Sequence, residues 1–96
     1  MKKNPNRFTA LDGAVAAEVR ADIARDPDAT VKGIAEKLFM RRATLSSRVN
    51  GHAAFAPSLL AAVADELGTT ASAIVARAEA RLAEEADVEE TKAVAA

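Results

Sequence analysis

The chain has 96 residues, with 13 Lys and Arg, 14 Asp and Glu, and no cysteine. That length suits one small domain, and the absence of thiols excludes a disulfide framework or a thiolate metal site. No apolar run approaches the ~20 residues of a membrane span, and the opening MKKNPNRF lacks the apolar stretch of a secretory signal, so a cytoplasmic protein with no membrane partner is expected.

Half of the residues are hydrophobic, but 25 of those 48 are alanine. Alanine favours helix more than any other residue and buries little area. The composition therefore predicts an all-α domain with a thin core. The net charge of −1 hides a division: residues 1–52 hold ten basic and six acidic side chains, and residues 53–96 hold three and eight. A basic front half suits an anionic partner.

Residues 1–8 are expected to form a flexible basic arm, with Lys2, Lys3 and Arg7 able to reach an adjacent groove or simply to remain solvated. The domain itself is expected over residues 9–85. A first helix runs from Thr9 to about Arg25, with Thr9 and Asp12 as the two halves of a capping box. Leu11, Val15, Val19 and Ile23 form its apolar stripe. Asp26-Pro27-Asp28 stops it. A short second helix covers about 31–38, with Ile34, Ala35 and Leu38 inward. A third covers about 42–50 on Leu45 and Val49, and Gly51 is its C-terminal stop.

After a loop anchored by Phe55, Pro57 opens a fourth helix. Its apolar face is Leu59, Leu60, Val63 and Leu67, and Gly68 ends it. Thr70 caps a fifth helix that turns Ile74, Val75, Ala78 and Leu82 inward. Residues 86–96 are acidic and alanine-rich, and are expected to fray.

The second and third helices are short and tightly joined. Such a joint forces a steep crossing, the helix-turn-helix arrangement, and leaves the second member of the pair protruding. Its outer face is Arg41, Arg42, Ala43, Thr44, Ser46, Ser47 and Arg48, and no carboxylate occurs from Phe39 to His52. The major groove admits one helix, provided that small residues permit close approach, and arginine is the commonest specific reader of guanine. Small residues plus arginine fit that requirement better than they fit an ordinary solvated face, which more often alternates Glu and Lys.

The run IAEKLFMRRATLSSRVNG, followed by PSLLAAVADELGTTASAIV, resembles the Cro/lambda-repressor-like helix-turn-helix family over residues 30–75. The resemblance rests on the spacing from Ala35 to Gly51, the Asn-Gly after the third helix, the Glu-Leu-Gly closing the fourth and the threonine opening the fifth. The loop HAAFAP is similar to a variant common in actinobacterial and actinophage regulators. The resemblance implies a five-helix fold and a regulator that blocks an operator on double-stranded DNA, as a phage or prophage Cro-type repressor does. It implies that Arg42, Ala43 and Ser47 face bases, flanked by Thr44. It further implies that Lys32, Arg41, Arg48, Asn50 and His52 meet phosphates.

Five positions depart from the family pattern. Arg48 replaces an apolar residue and Val49 a common glutamate. Phe39 replaces the glycine of the turn. A bulky side chain at positive φ is strained by about 1 kcal/mol or more, so a different local turn is expected there. Val31 replaces the glutamine that usually opens the second helix. Gly33 falls inside that helix, at about 1 kcal/mol relative to alanine.

Val75, Ala78 and Leu82 form a candidate homodimer face, or else only close the monomer core. The dimer is favoured because paired half-sites multiply specificity and a thin core gains from added burial. No nucleophile–base pair, phosphate-cradling glycine loop or metal-ligand cluster is present. The chain is therefore read as a non-enzyme with no cofactor, no metal and no small-molecule ligand. The rival reading is a protein-interaction module on the same fold, an inhibitor of a host protein or an antitoxin with an acidic clamp, which the acidic back half would suit.

Overall fold

A computed structural model describes the backbone of residues 7–95 and the side chains of residues 9–86. The fold is all-α. Its helices are α1 (Arg7–Arg25), α2 (Val31–Lys37), α3 (Arg42–Val49), α4 (Pro57–Glu66) and α5 (Ala71–Ala95). The long helices α1 and α5 pack along each other, and the short pair α2–α3 rests on α1 through α3. The chain turns by 102° between α4 and α5, and α4 also packs on α5. Among the described residues, no single helix is long and apolar enough to cross a membrane.

Every helix contributes to one core. Val15 and Val19 of α1 meet Ile34 and Ala35 of α2, Leu45 and Val49 of α3, Leu60 and Val63 of α4, and Ile74 and Ala78 of α5. The side chains of Leu45, Ile74, Val19 and Val63 are fully enclosed. Between them sit Ala14, Ala16 and Ala64, which let the helix backbones approach closely but add little buried area. The core is therefore thin, and each large side chain in it contributes a sizeable share of the stability.

Local signals set most helix ends. Thr30 caps α2, its hydroxyl accepting from the Gly33 N–H at 2.9 Å. A Cβ added at Gly33 would lie 3.0 Å from that hydroxyl oxygen, so this glycine makes room for the cap rather than weakening a helix interior. Thr70 caps α5 in the same way, accepting from Ala73 N–H at 3.1 Å. Pro57 opens α4, where its missing N–H leaves no bond unmade.

Two boundaries differ from expectation. Thr9 lies inside α1, which already begins at Arg7, so it is not the N-cap of a capping box with Asp12. No residue between Asn6 and Thr9 breaks a helix. At the other end, α5 continues to Ala95, ten residues beyond the expected limit at 85. The added stretch is rich in alanine and glutamate, which propagate helix without tertiary contacts. Lys2 and Lys3 of the expected arm lie outside the described residues, as do the side chains of residues 87–96.

Three helices end in one and the same motif. In a Schellman end, the residue past the cap takes positive φ, and two N–H groups return to the last turn. Gly51 (φ 81) closes α3, with Gly51 N–H donating to Arg48 C=O and His52 N–H to Ser47 C=O. Gly68 (φ 77) closes α4, with bonds from Gly68 to Asp65 and from Thr69 to Ala64. Phe39 (φ 56) closes α2, with bonds from Phe39 to Glu36 and from Met40 to Ala35. The expectation of a different local turn at Phe39 is therefore corrected. The two return bonds hold the left-handed geometry, and the phenylalanine adopts it despite its Cβ.

Candidate nucleic-acid interface

Helix α3 is held from below by Leu45 and Val49, both buried. Being four residues apart, they define one side of the helix. Ala43 and Ser47 form a second i, i+4 pair on the opposite side. Ser46 lies on one flank of that outer surface and Thr44 and Arg48 on the other, with Arg41 and Arg42 at the N-terminal end of the helix. Arg41, Arg42, Ala43 and Thr44 are exposed, while Ser46, Ser47 and Arg48 are half-buried. The three arginines thus stand around a centre of small side chains, and the helix could enter a groove closely.

The N-terminus of α3 has no side-chain cap: Arg41 is the N-cap residue and makes no capping hydrogen bond. No acidic residue occupies its first turn. Its first N–H groups and two adjacent guanidinium groups therefore present positive potential at one end. At the other end, Asn50 donates from Nδ2 to Ser46 Oγ at 3.1 Å, and both Asn50 and His52 are exposed. Lys32 is exposed in the first turn of α2. The carboxylate-free stretch is longer than the one noted from Phe39 to His52. It runs from Lys37 to Ala64 and spans the turn, α3, the following loop and most of α4.

Three features go beyond what the sequence singled out: two tertiary contacts, and the exposure of Phe39, whose turn the sequence had already marked. Arg20 of α1 donates from Nη1 to the Val49 carbonyl oxygen at 2.7 Å, which anchors the C-terminal end of α3. An ion cluster joins α1 to α5: Arg81 Nε and Nη2 both donate to Glu18 Oε2, at 3.0 and 2.7 Å, and Arg77 Nη2 donates to Asp22 Oδ2 at 2.7 Å. Arg77 Nε lies 3.6 Å from Glu18 Oε1 and is buried without a hydrogen bond. The available signal was the matched spacing, Glu18 and Asp22 on one helix and Arg77 and Arg81 on the other. The third feature is Phe39, whose surface is 96% exposed.

The expected dimer face is altered. Ala78 has no exposed surface and belongs to the monomer core, because α5 packs directly on the other helices there. Val75 and Leu82 are half-buried and pack against that core at its edge. Beside Val75 lies an apolar groove of about 410 Å³, lined among others by Leu11, Val15, Phe55 and Leu60.

No protein-family model matches the chain, and no curated protein matches it. Among solved structures, it is similar to the crystal structure of the clp gene regulator ClgR from Corynebacterium glutamicum, at 27% identity and a TM-score of 0.74, over 88% of each chain. The agreement covers nearly the whole helical fold, and the protein it matches is a gene regulator.

Proposed function

We propose that the chain is a sequence-specific double-stranded DNA-binding transcription regulator of the Cro type, of phage or prophage kind, which represses by occupying an operator. The observation that carries this reading is the outer surface of α3: exposed from Arg41 to Thr44 and half-buried at Ser46, Ser47 and Arg48, free of carboxylates, small at its centre and bordered by arginines. The likeness to a gene regulator adds independent support.

In this reading α3 enters the major groove. Arg42 reads a base edge, Ala43 and Ser47 allow close approach, and Thr44 completes the contact. Lys32, Arg41, Arg48, Asn50 and His52 hold phosphates and set the register. Two chains bind as a homodimer on paired half-sites, with Val75 and Leu82 at the contact. The overall charge of −1 gives no long-range pull toward a polyanion, so affinity depends on this local patch.

The test is selection from a randomised duplex library, followed by a salt titration on the enriched sequence. A palindrome with half-sites about one helical turn apart is expected. Affinity should fall steeply with salt, with a slope near −0.9 for each phosphate neutralised. No enrichment and no binding at low salt would overturn the reading.

A further inference from the structure

Three helices close with the same Schellman geometry, and two of them place glycine at the left-handed position. At the third, that position holds Phe39. Glycine would relieve the strained φ, and almost any polar residue would avoid placing a phenyl ring in water. Phe39 does neither: its φ is 56 and its surface is 96% exposed. Among the described residues no packing contact explains the ring, and the return hydrogen bonds to Ala35 and Glu36 need only the backbone. A lone exposed ring is ordinary by itself, but a ring kept at a strained backbone position that glycine would relieve points to a partner that takes it up.

The surroundings identify the partner's chemistry. Phe39 stands two residues before Arg41 and three before Arg42, at the uncapped N-terminal end of α3. Lys37, two residues before it, is exposed but pairs with Glu66 Oε1 at 3.5 Å. Among the described residues the unpaired cations beside the ring are therefore Arg41 and Arg42, and the chain from Lys37 to Ala64 holds no carboxylate. In a helix-turn-helix, the N-terminal end of the second helix is the end that meets base edges. An aromatic ring set among cations at that end suits a polyanion with apolar surfaces between its charges.

We infer that Phe39 is a DNA contact, its ring packing against the deoxyribose edge or a thymine methyl at the margin of the site while Arg41 and Arg42 engage the charged and polar groups beside it. This inference rests on the DNA-binding reading above. It adds an apolar specificity element in the turn, outside the helix surface already assigned to base reading.

The experiment compares the native chain with Phe39→Gly, Phe39→Ala and Phe39→Leu on the selected duplex, and measures affinity across salt together with thermal unfolding. Phe39→Gly should unfold at a higher temperature yet bind about tenfold more weakly, the size expected when part of a phenyl ring's burial is lost. Its salt slope should be unchanged, because an apolar contact releases no counterion. Phe39→Ala keeps the strain and loses the ring, so it should bind weakly with no gain in stability, and Phe39→Leu should retain most of the affinity. Equal or tighter binding by Phe39→Gly would overturn the inference and leave a protein partner as the ring's occupant. Failure of the native chain to bind any duplex is a different result, and would overturn the DNA-binding reading itself.

Discussion

Arg20 Nη1 lies 2.7 Å from the carbonyl oxygen of Val49. The bond joins the middle of α1 to the last turn of α3, where carbonyl groups have no intrahelical partner and the helix dipole favours a cation. It therefore satisfies an orphan acceptor and fixes the tilt of the helix that carries Arg42. Arg20→Ala should lower stability by about 1 kcal/mol and weaken duplex binding as well. Arg20→Lys, which can still donate, should recover most of both. Denaturant unfolding paired with duplex titration gives the answer, and an unchanged midpoint with unchanged affinity would show that the bond orients nothing.

Arg42 and Lys32 separate specific from general contact. Arg42 stands at the start of α3, and Lys32 in the first turn of α2. Arg42→Ala should cost about 1–3 kcal/mol on the selected duplex and relax the preference at one base pair. Lys32→Ala should weaken binding to selected and random duplexes alike and reduce the salt slope by about one. If Arg42→Ala lowers both affinities equally, Arg42 is only a phosphate contact.

What the sequence made visible was local. Pro57 and Thr70 mark helix starts, and Gly51 and Gly68 mark helix ends, through bonds within a few residues of themselves. The pairs Leu45 and Val49, or Ile34 and Ala35, follow from helical spacing and are buried as the spacing predicts. The features that stayed hidden depend on tertiary placement. Arg20 and Val49 are 29 residues apart, and Glu18 and Arg81 are 63 apart. Ala78 looked available for a partner because spacing shows which side of α5 is apolar, not what already covers it. At Phe39 the sequence showed a conflict between residue and turn. Only the backbone shows that the turn prevailed.

Gly51 is the counterpart of Phe39 at the other end of α3. Its φ of 81 is one that L side chains rarely adopt, and the nearest atom to an added Cβ would be the Ala16 Cβ at 3.9 Å. Space is therefore not the obstacle; conformation is. Gly51→Ala should destabilise the chain by about 1 kcal/mol or somewhat more, opposite in sign to Phe39→Gly. Thermal melts of the two variants measured side by side test the shared motif. A stabilising Gly51→Ala would mean that the end of α3 relaxes to another geometry.

Glu18 is the acidic centre of the cluster between α1 and α5. It is 8% exposed, and it holds Arg81 through two hydrogen bonds and faces Arg77. Removing it leaves two guanidinium groups together at a packed helix contact without their shared anion. Were the whole cluster buried, the loss would approach the 3–5 kcal/mol of a broken interior pair. Both arginine side chains are about 40% exposed, so water screens them and a loss of about 1–2 kcal/mol is expected instead. Glu18→Gln keeps an acceptor but not the charge, and should fall between Glu18→Ala and the native chain. Because the cluster lies between α1 and α5 and not on α3, affinity for the selected duplex per folded molecule should stay within about twofold for a contact this far from the bases. Unfolding midpoints should therefore drop while binding of the folded fraction is preserved. A large loss of affinity in Glu18→Gln at full folding would instead mean that the α1–α5 contact sets the geometry of the DNA-reading helix.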